Sequence, residues 1–312
     1  MTASNAVVLG AGGPFAWLFH LGVLDGLEEL GLPLSSARRV VATSAGAAVA
    51  ASRLAGTTTT EFLRAIGTTV PPRRRKQLID ALRVVRSDPI GTLRPGAPHL
   101  LTGSAGESLL FGAGLLPRGA FDPEVLSSFL PSVPDGWPAS LWFPAVRVDD
   151  GSTVVFGRDR SDVPVRAALE ASCAVPGWFR SKMIGGEAFM DGAIASPTHA
   201  NLLANEESDF VVISSPMTRD GHTPPRRAAR KRLEMELRSL ARPGREMVVI
   251  SPNREVREIA YGYPYRTRSR VDEIVTAARE QVRGLSGDGM PLSWTADRKR
   301  SGTLHRPPDR SC

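Results

Sequence analysis

Short apolar runs and stretches of helical spacing alternate along this chain. Residues 6–9, Ala-Val-Val-Leu, make an apolar run that predicts a buried strand. Trp17, Leu21, Leu24, Leu27 and Leu30 then recur every three or four residues, which predicts one apolar helix face. Between them lies Gly10-Ala11-Gly12-Gly13-Pro14. Its glycines permit a tight turn with bare backbone N–H groups, and Pro14 suits the first turn of a helix. Gly31 closes that helix. Residues 39–41 predict a second strand, and the small residues after Ser44 a second helix. A βαβα opening of this kind predicts a parallel sheet with a right-handed crossover.

Farther along, residues 61–66 and 77–85 read as helices, with the basic run Pro71-Pro72-Arg73-Arg74-Arg75-Lys76 between them. Residues 95–119 are rich in Gly and Pro, and the whole part 57–135 reads as helices and loops over the site, a candidate lid or acyl-chain tunnel. Residues 141–148 and 153–156 predict a strand pair around Asp149-Asp150-Gly151. A helix follows over 165–172. Gly185-Gly186 then predicts a hairpin turn between two short strands ending at Asp191. Residues 210–214 and 247–250 predict two more apolar strands. The segment between them, 226–245, carries eight basic and two acidic residues, with Leu233, Leu237 and Leu240 at helical spacing. It reads as a crossover helix with a basic outer face. From residue 285 the chain turns polar and basic, which predicts a disordered tail.

Composition narrows the picture. A chain of 312 residues can bury the core of a large α/β domain. No stretch approaches the roughly 20 apolar residues that span a bilayer. The opening residues lack the charged region and apolar core of a secretory signal. Cys173 and Cys312 are the two cysteines, too few for a thiol metal cluster. Together these predict a reducing, cytoplasmic setting. The net charge of +7 suits nucleic acid, an anionic membrane surface or an acidic substrate, and equally an arginine-rich solvated surface. No nucleic-acid motif accompanies the charge, and no nucleic-acid partner is expected.

The candidate chemistry centres on Ala42-Thr43-Ser44-Ala45-Gly46. A serine at a sharp strand-to-helix turn, with small residues two before and two after, forms a nucleophile elbow. An ordinary N-cap serine reads the same way. The upstream glycine loop has three readings. A dinucleotide-binding G-x-G-x-x-G fits poorly, because Phe15 stands at the third glycine position. An oxyanion hole of backbone N–H groups fits a nucleophile on the next strand, with Gly12, Gly13 and Ala45 as donors. A plain βα turn is the third. Asp191-Gly192-Ala193 supplies a carboxylate that reads either as a catalytic base or as a turn residue.

The three elements occur in one order and together resemble the patatin-like phospholipase family of serine lipid hydrolases. Its blocks are G-G-G-x-x-G, G-x-S-x-G and D-G-G or D-G-A. They match Ala11-Gly12-Gly13-Pro14-Phe15-Ala16, Ala42-Thr43-Ser44-Ala45-Gly46 and Asp191-Gly192-Ala193. Alanine replaces glycine at Ala11, Ala16 and Ala42. Residues 171–176 also resemble the family's A-S-x-A-x-P stretch. The likeness spans about residues 6–255, with a helical extension over 256–284 and the tail over 285–312.

The resemblance implies a three-layer α/β/α fold with a mostly parallel central sheet. It implies Ser44 as nucleophile and Asp191 as base, acting on a phospholipid or other fatty acyl ester without metal or cofactor. Separately, the arginines of 226–245 are expected to meet phospholipid head groups at a membrane surface. Two rivals stand beside it. One is an α/β-hydrolase triad completed by a histidine, with His199 nearest the aspartate and His20, His99, His222 and His305 as other candidates. The other is a patatin-like lipid-binding protein without turnover.

Overall fold

The computed structural model describes residues 4–68, 119, 121–128, 130–218, 224–261 and 270–285. The basic run at 71–76, the helix expected over 77–85, nearly all of the loop over 95–119, and His99, His222 and His305 lie outside them. So does the tail beyond residue 285. The fold is mixed α/β, a central sheet flanked by helices, and its residues group into two compact units. The first takes residues 1–50, 139–142 and 196–312; the second takes 51–138 and 143–195.

In the first unit, strands β1 (Asn5–Leu9), β2 (Arg39–Ala42), β7 (Phe210–Ser214) and β8 (Glu246–Ile250) run parallel in the order β2-β1-β7-β8. The first residues of β3 (Leu141–Arg147) extend this sheet beside β2, also parallel. These strands are near-continuous Val, Ile and Leu because both faces of a parallel sheet are covered. Helix α1 (Gly13–Glu29) buries Leu21, Leu24 and Leu27 of the face predicted for it, and Leu18 besides, while Trp17 and the C-cap Leu30 are half-buried. The second helix, α2 (Ala45–Leu54), starts directly behind Ser44 and leads toward α3 (Thr59–Thr68).

The second unit is antiparallel. β3 pairs with β4 (Thr153–Phe156) on one side and with β6 (Glu187–Asp191) on the other. β5 (Lys182–Ile184) pairs with β6 across the Gly185-Gly186 turn, as the sequence predicts. Both glycines have positive φ, 59° and 84°, which a two-residue hairpin turn requires. Helix α3, the short helix α4 (Glu124–Ser127) and α5 (Val165–Ser172) also belong to this unit. Glu170 of α5 is buried, and its carboxylate meets Lys182 Nζ at 2.6 Å and accepts a hydrogen bond from the Ser127 hydroxyl.

Three more helices belong to the first unit: α6 (Pro224–Leu240), α7 (Arg254–Ile259) and α8 (Val271–Arg283). Helix α6 is the predicted crossover, with Leu233, Leu237 and Leu240 buried. Helix α8 packs along α1, where Gly22 and Gly26 bring the two backbones close. No helix among the described residues is long and apolar enough to cross a membrane.

Candidate active site

Three loops leave the carboxyl ends of adjacent parallel strands in the first unit. The register sets Leu9 level with Ala42 on one side and with Ser214 on the other. The chain therefore leaves β1, β2 and β7 at the same height, where ligands of parallel α/β sheets bind. Gly10 N–H donates to Ser214 O at 2.9 Å, and Ala11 N–H to Pro197 O at 2.8 Å. Thr43 N–H donates to Leu9 O at 2.9 Å. The glycine loop, the serine turn and the segment 196–200 are thus tied into one frame.

Ser44 stands at the turn between β2 and α2 with φ 55°, one of two non-glycine residues with positive φ among the described residues. A left-handed backbone at an L-residue with Cβ costs about 1–2 kcal/mol. The surrounding bonds hold it there. Gly46 N–H donates to Thr43 O, and Ser44 O accepts from Ala47 and Ala48 N–H, opening α2. A Cβ on Gly46 would lie 2.1 Å from Leu9 O, so the small residue two after the serine is required by backbone contact. Ala42, two before it, is fully buried, and its methyl is accommodated in that position. Ser44 is itself buried, with 6 % exposed.

The glycine loop opens α1. Gly12 is its N-cap, Pro14 falls in the first turn, and Gly13 is exposed with φ 64°. A Cβ on Gly12 would lie 2.9 Å from the Ala16 methyl and 3.1 Å from Pro216. Ala11 and Ala16, where the family pattern has glycine, are both buried.

Asp191 belongs to the second unit, at the end of β6. It is buried, 2 % exposed, and caps a 3-10 turn over Gly192–Ile194 by accepting the Ala193 N–H at 2.8 Å. Its own N–H donates to Ala174 O at 3.0 Å. Residues 171–176 therefore help to fix the aspartate. Cys173 in that stretch keeps its proton: burial first, then Asp191 and Glu170, push its thiol well above the ordinary range.

His199, the triad candidate, faces the residue before the serine. Its Nδ1 lies 3.3 Å from Thr43 Oγ1. Burial, then the Arg232 charge, lowers its pKa to about 3. A ring so reluctant to take a proton is a weak general base. His20 is also buried and held neutral, lowered to about 4 by burial, with Nε2 at 2.7 Å from Gly10 O and Nδ1 at 2.8 Å from Ser214 Oγ. Among the described residues no cluster of three or more His, Cys, Asp or Glu could hold a metal ion.

Sequence reasoning missed Glu236. It sits on α6 at 2 % exposure, with its carboxylate against Ser196, Thr198 and Ala200. The signal was present. Leu233, Glu236, Leu237 and Leu240 share one helix face, and an acid on an apolar face needs a partner.

The sequence model of the patatin-like phospholipase family matches residues 7–203, which contain the glycine loop, Ser44 and Asp191. No curated protein matches the chain. Among solved structures it is similar to the type III effector protein ExoU, at 20% identity and TM-score 0.39 over 90% of this chain and 52% of that one. A second ExoU structure, from Pseudomonas aeruginosa in complex with SpcU, gives 18% identity and TM-score 0.33, with coverage of 90% and 52%. VipD from Legionella pneumophila gives 13% identity and TM-score 0.41, with 90% of this chain and 67% of that one covered. The chain thus spans about half the length of ExoU. The match over residues 7–203 covers more than half of the chain, and on that ground the chain belongs to the patatin-like phospholipase family.

Proposed function

We propose that the protein is a serine lipid acyl hydrolase acting on phospholipids or other fatty acyl esters through an acyl-enzyme. The observation that carries this reading is the backbone of Ser44. A non-glycine residue held at φ 55° on a strand-to-helix turn stores strain that an ordinary N-cap serine has no need of.

In the proposed reaction Asp191 takes the Ser44 Oγ proton as Oγ attacks the ester carbonyl carbon. Backbone N–H groups of Gly12, Gly13 and Ala45 receive the oxyanion, and removing one such donor typically costs about 2.7–4 kcal/mol. Collapse expels the alcohol with a proton returned from Asp191, leaving an acyl ester on Ser44. Asp191 then takes a proton from water as its oxygen attacks the acyl carbon; the bond to Ser44 Oγ breaks, Asp191 returns the proton to Oγ, and the fatty acid leaves. The order of the three family blocks supports the pairing of serine with aspartate. The low proton affinity of His199, and its contact with Thr43, weigh against a histidine base. A reducing compartment and contact with a lipid surface from the aqueous side belong to the same reading.

The test is labelling of the folded chain with a fluorophosphonate probe, beside hydrolysis of p-nitrophenyl esters and phospholipid vesicles. Wild type should be labelled and active. Ser44→Ala should be neither, and Asp191→Asn should lose turnover while staying folded. A folded wild type that takes no probe and cleaves no ester would support lipid binding without turnover instead.

A further inference from the structure

Helix α6 reaches the candidate site through one buried carboxylate. Glu236 Oε1 accepts the Ser196 hydroxyl at 2.5 Å, and Oε2 accepts the Thr198 hydroxyl at 2.5 Å and the Ala200 N–H at 2.9 Å. Ser196 Oγ in turn accepts the N–H groups of Thr198 and His199, at 3.2 and 3.0 Å. Arg232, one turn earlier on α6, lies 3.4 Å from the same carboxylate. Five donors of the segment 196–200 are thus aimed at Glu236 or at the serine it anchors.

Two members of that segment touch the motif loops. Pro197 O takes the Ala11 N–H, and it lies 3.1 Å from where a Gly10 Cβ would stand. The His199 ring meets Thr43, whose next neighbour is Ser44. His199 adopts φ 52°, ψ 30°, a left-handed backbone that is uncommon for a residue other than glycine. Bonds at its own N–H and at the following N–H hold it there. Its Nε2 is buried and has no hydrogen-bond partner among the described residues, so Thr43 is what orients the ring.

We propose that Glu236 is a positioning residue: through residues 196–200 it holds the glycine loop at Ala11 and the nucleophile turn at Thr43 in reactive register. The inference rests on the serine-hydrolase reading for its kinetic consequence. The mechanical part stands on hydrogen bonds alone. Glu236 touches no reacting atom. It acts by keeping Ser44 and the oxyanion donors in place between turnovers, and misplacing such groups by a fraction of an ångström slows chemistry more than binding.

The experiment uses the full chain and four variants: Glu236→Gln, Thr198→Val, Thr198→Ser and, as control, Glu234→Gln on the exposed side of the same helix. The readouts are kcat and KM for a soluble p-nitrophenyl ester, the rate of fluorophosphonate labelling, the melting temperature, and amide exchange at Ala11 and Thr43. Glu236→Gln and Thr198→Val should lower kcat and the labelling rate by about tenfold, the worth of one hydrogen bond. KM should stay within about twofold. Exchange at Ala11 and Thr43 should quicken. Thr198→Ser, which keeps the hydroxyl, should restore the rate, and Glu234→Gln should match wild type. Wild-type kinetics and exchange in Thr198→Val would overturn the proposal, as would equal losses in Glu234→Gln. If Glu236→Gln fails to fold, the Thr198 pair decides. If wild type takes no probe, the hydrolase reading fails, while exchange at Ala11 and Thr43 still decides whether Glu236 holds the two loops.

Discussion

Gly46 presses its α-carbon against the carbonyl of Leu9, so closely that a Cβ would lie 2.1 Å from the oxygen and 2.6 Å from the carbon. The contact crosses from α2 to β1 and sets the depth at which the helix starts behind Ser44. Backbone cannot yield as the end of a flexible side chain can. Gly46→Ala should therefore cost at least the ~1–3 kcal/mol typical of overpacking. It should also abolish probe labelling, because α2 must move and Ser44 moves with it. Denaturant melts and labelling of the purified variant check both. A Gly46→Ala protein with wild-type stability would show that the approach is looser than these distances.

The strain at Ser44 gives a second test, independent of activity. Ser44→Ala keeps a Cβ at φ 55° and so keeps the strain. Ser44→Gly removes it, at the cost of about 0.5–1 kcal/mol of extra chain entropy in the unfolded state. Relief of about 1–2 kcal/mol should outweigh that cost. Ser44→Gly should then be the more stable of the two by up to about 1.5 kcal/mol, and both should be inactive. Urea midpoints compared at equal slope decide it. A glycine variant less stable than the alanine variant would mean that the turn holds no strain.

Much of this architecture was legible before any coordinate. The strands at 5–9, 39–42, 210–214 and 246–250 are apolar runs bounded by turn residues, and the 185–186 hairpin is announced by its glycines. The elbow was legible because its crowding permits only small residues around Ser44. What the sequence hid is whatever depends on contacts distant along the chain. Thr43 and His199 lie 156 residues apart, and Glu236 lies 40 residues beyond Ser196. No local pattern announces that a histidine beside a Pro-Thr pair will adopt a left-handed backbone. The acid among the leucines of α6 was visible, but its partners were not.

The seam between α1 and α8 should be equally intolerant of added bulk. A Cβ on Gly22 would lie 2.2 Å from Val275 O and 2.8 Å from the Ala278 methyl, and one on Gly26 would lie 2.7 Å from Val282 Cβ. In an isolated helix, glycine to alanine would favour folding by about 0.8–1 kcal/mol. Here Gly22→Ala should instead destabilise, because α8 must shift off α1. Loss of amide protection across residues 271–283, at a lower melting temperature, is the expected outcome. A Gly22→Ala protein more stable than wild type would show that helix propensity outweighs the seam.

Acid should loosen this fold through its buried histidines. The His20 pKa is lowered from 6.5 to about 4 and the His199 pKa to about 3, in each case chiefly by burial. A lowered pKa means that the unfolded chain binds the proton more readily than the native one. The stabilisation is therefore complete above pH 6.5 and lost as pH falls below it. Each ring contributes about 1.4 kcal/mol per pH unit within its window, which closes near pH 4 for His20 and near pH 3 for His199. Glu236 works in the opposite sense: burial raises its pKa above 4.5, so the native state gains from that proton as pH falls. The cleanest interval is thus between pH 6.5 and the range where Glu236 titrates. Urea unfolding at steps of half a pH unit should show stability falling through that interval. His199→Asn, whose side chain tolerates a left-handed backbone and carries no titrating proton, should flatten the slope by about 1.4 kcal/mol per pH unit. An unchanged slope in that variant would mean that His199 does not stay neutral and buried in solution.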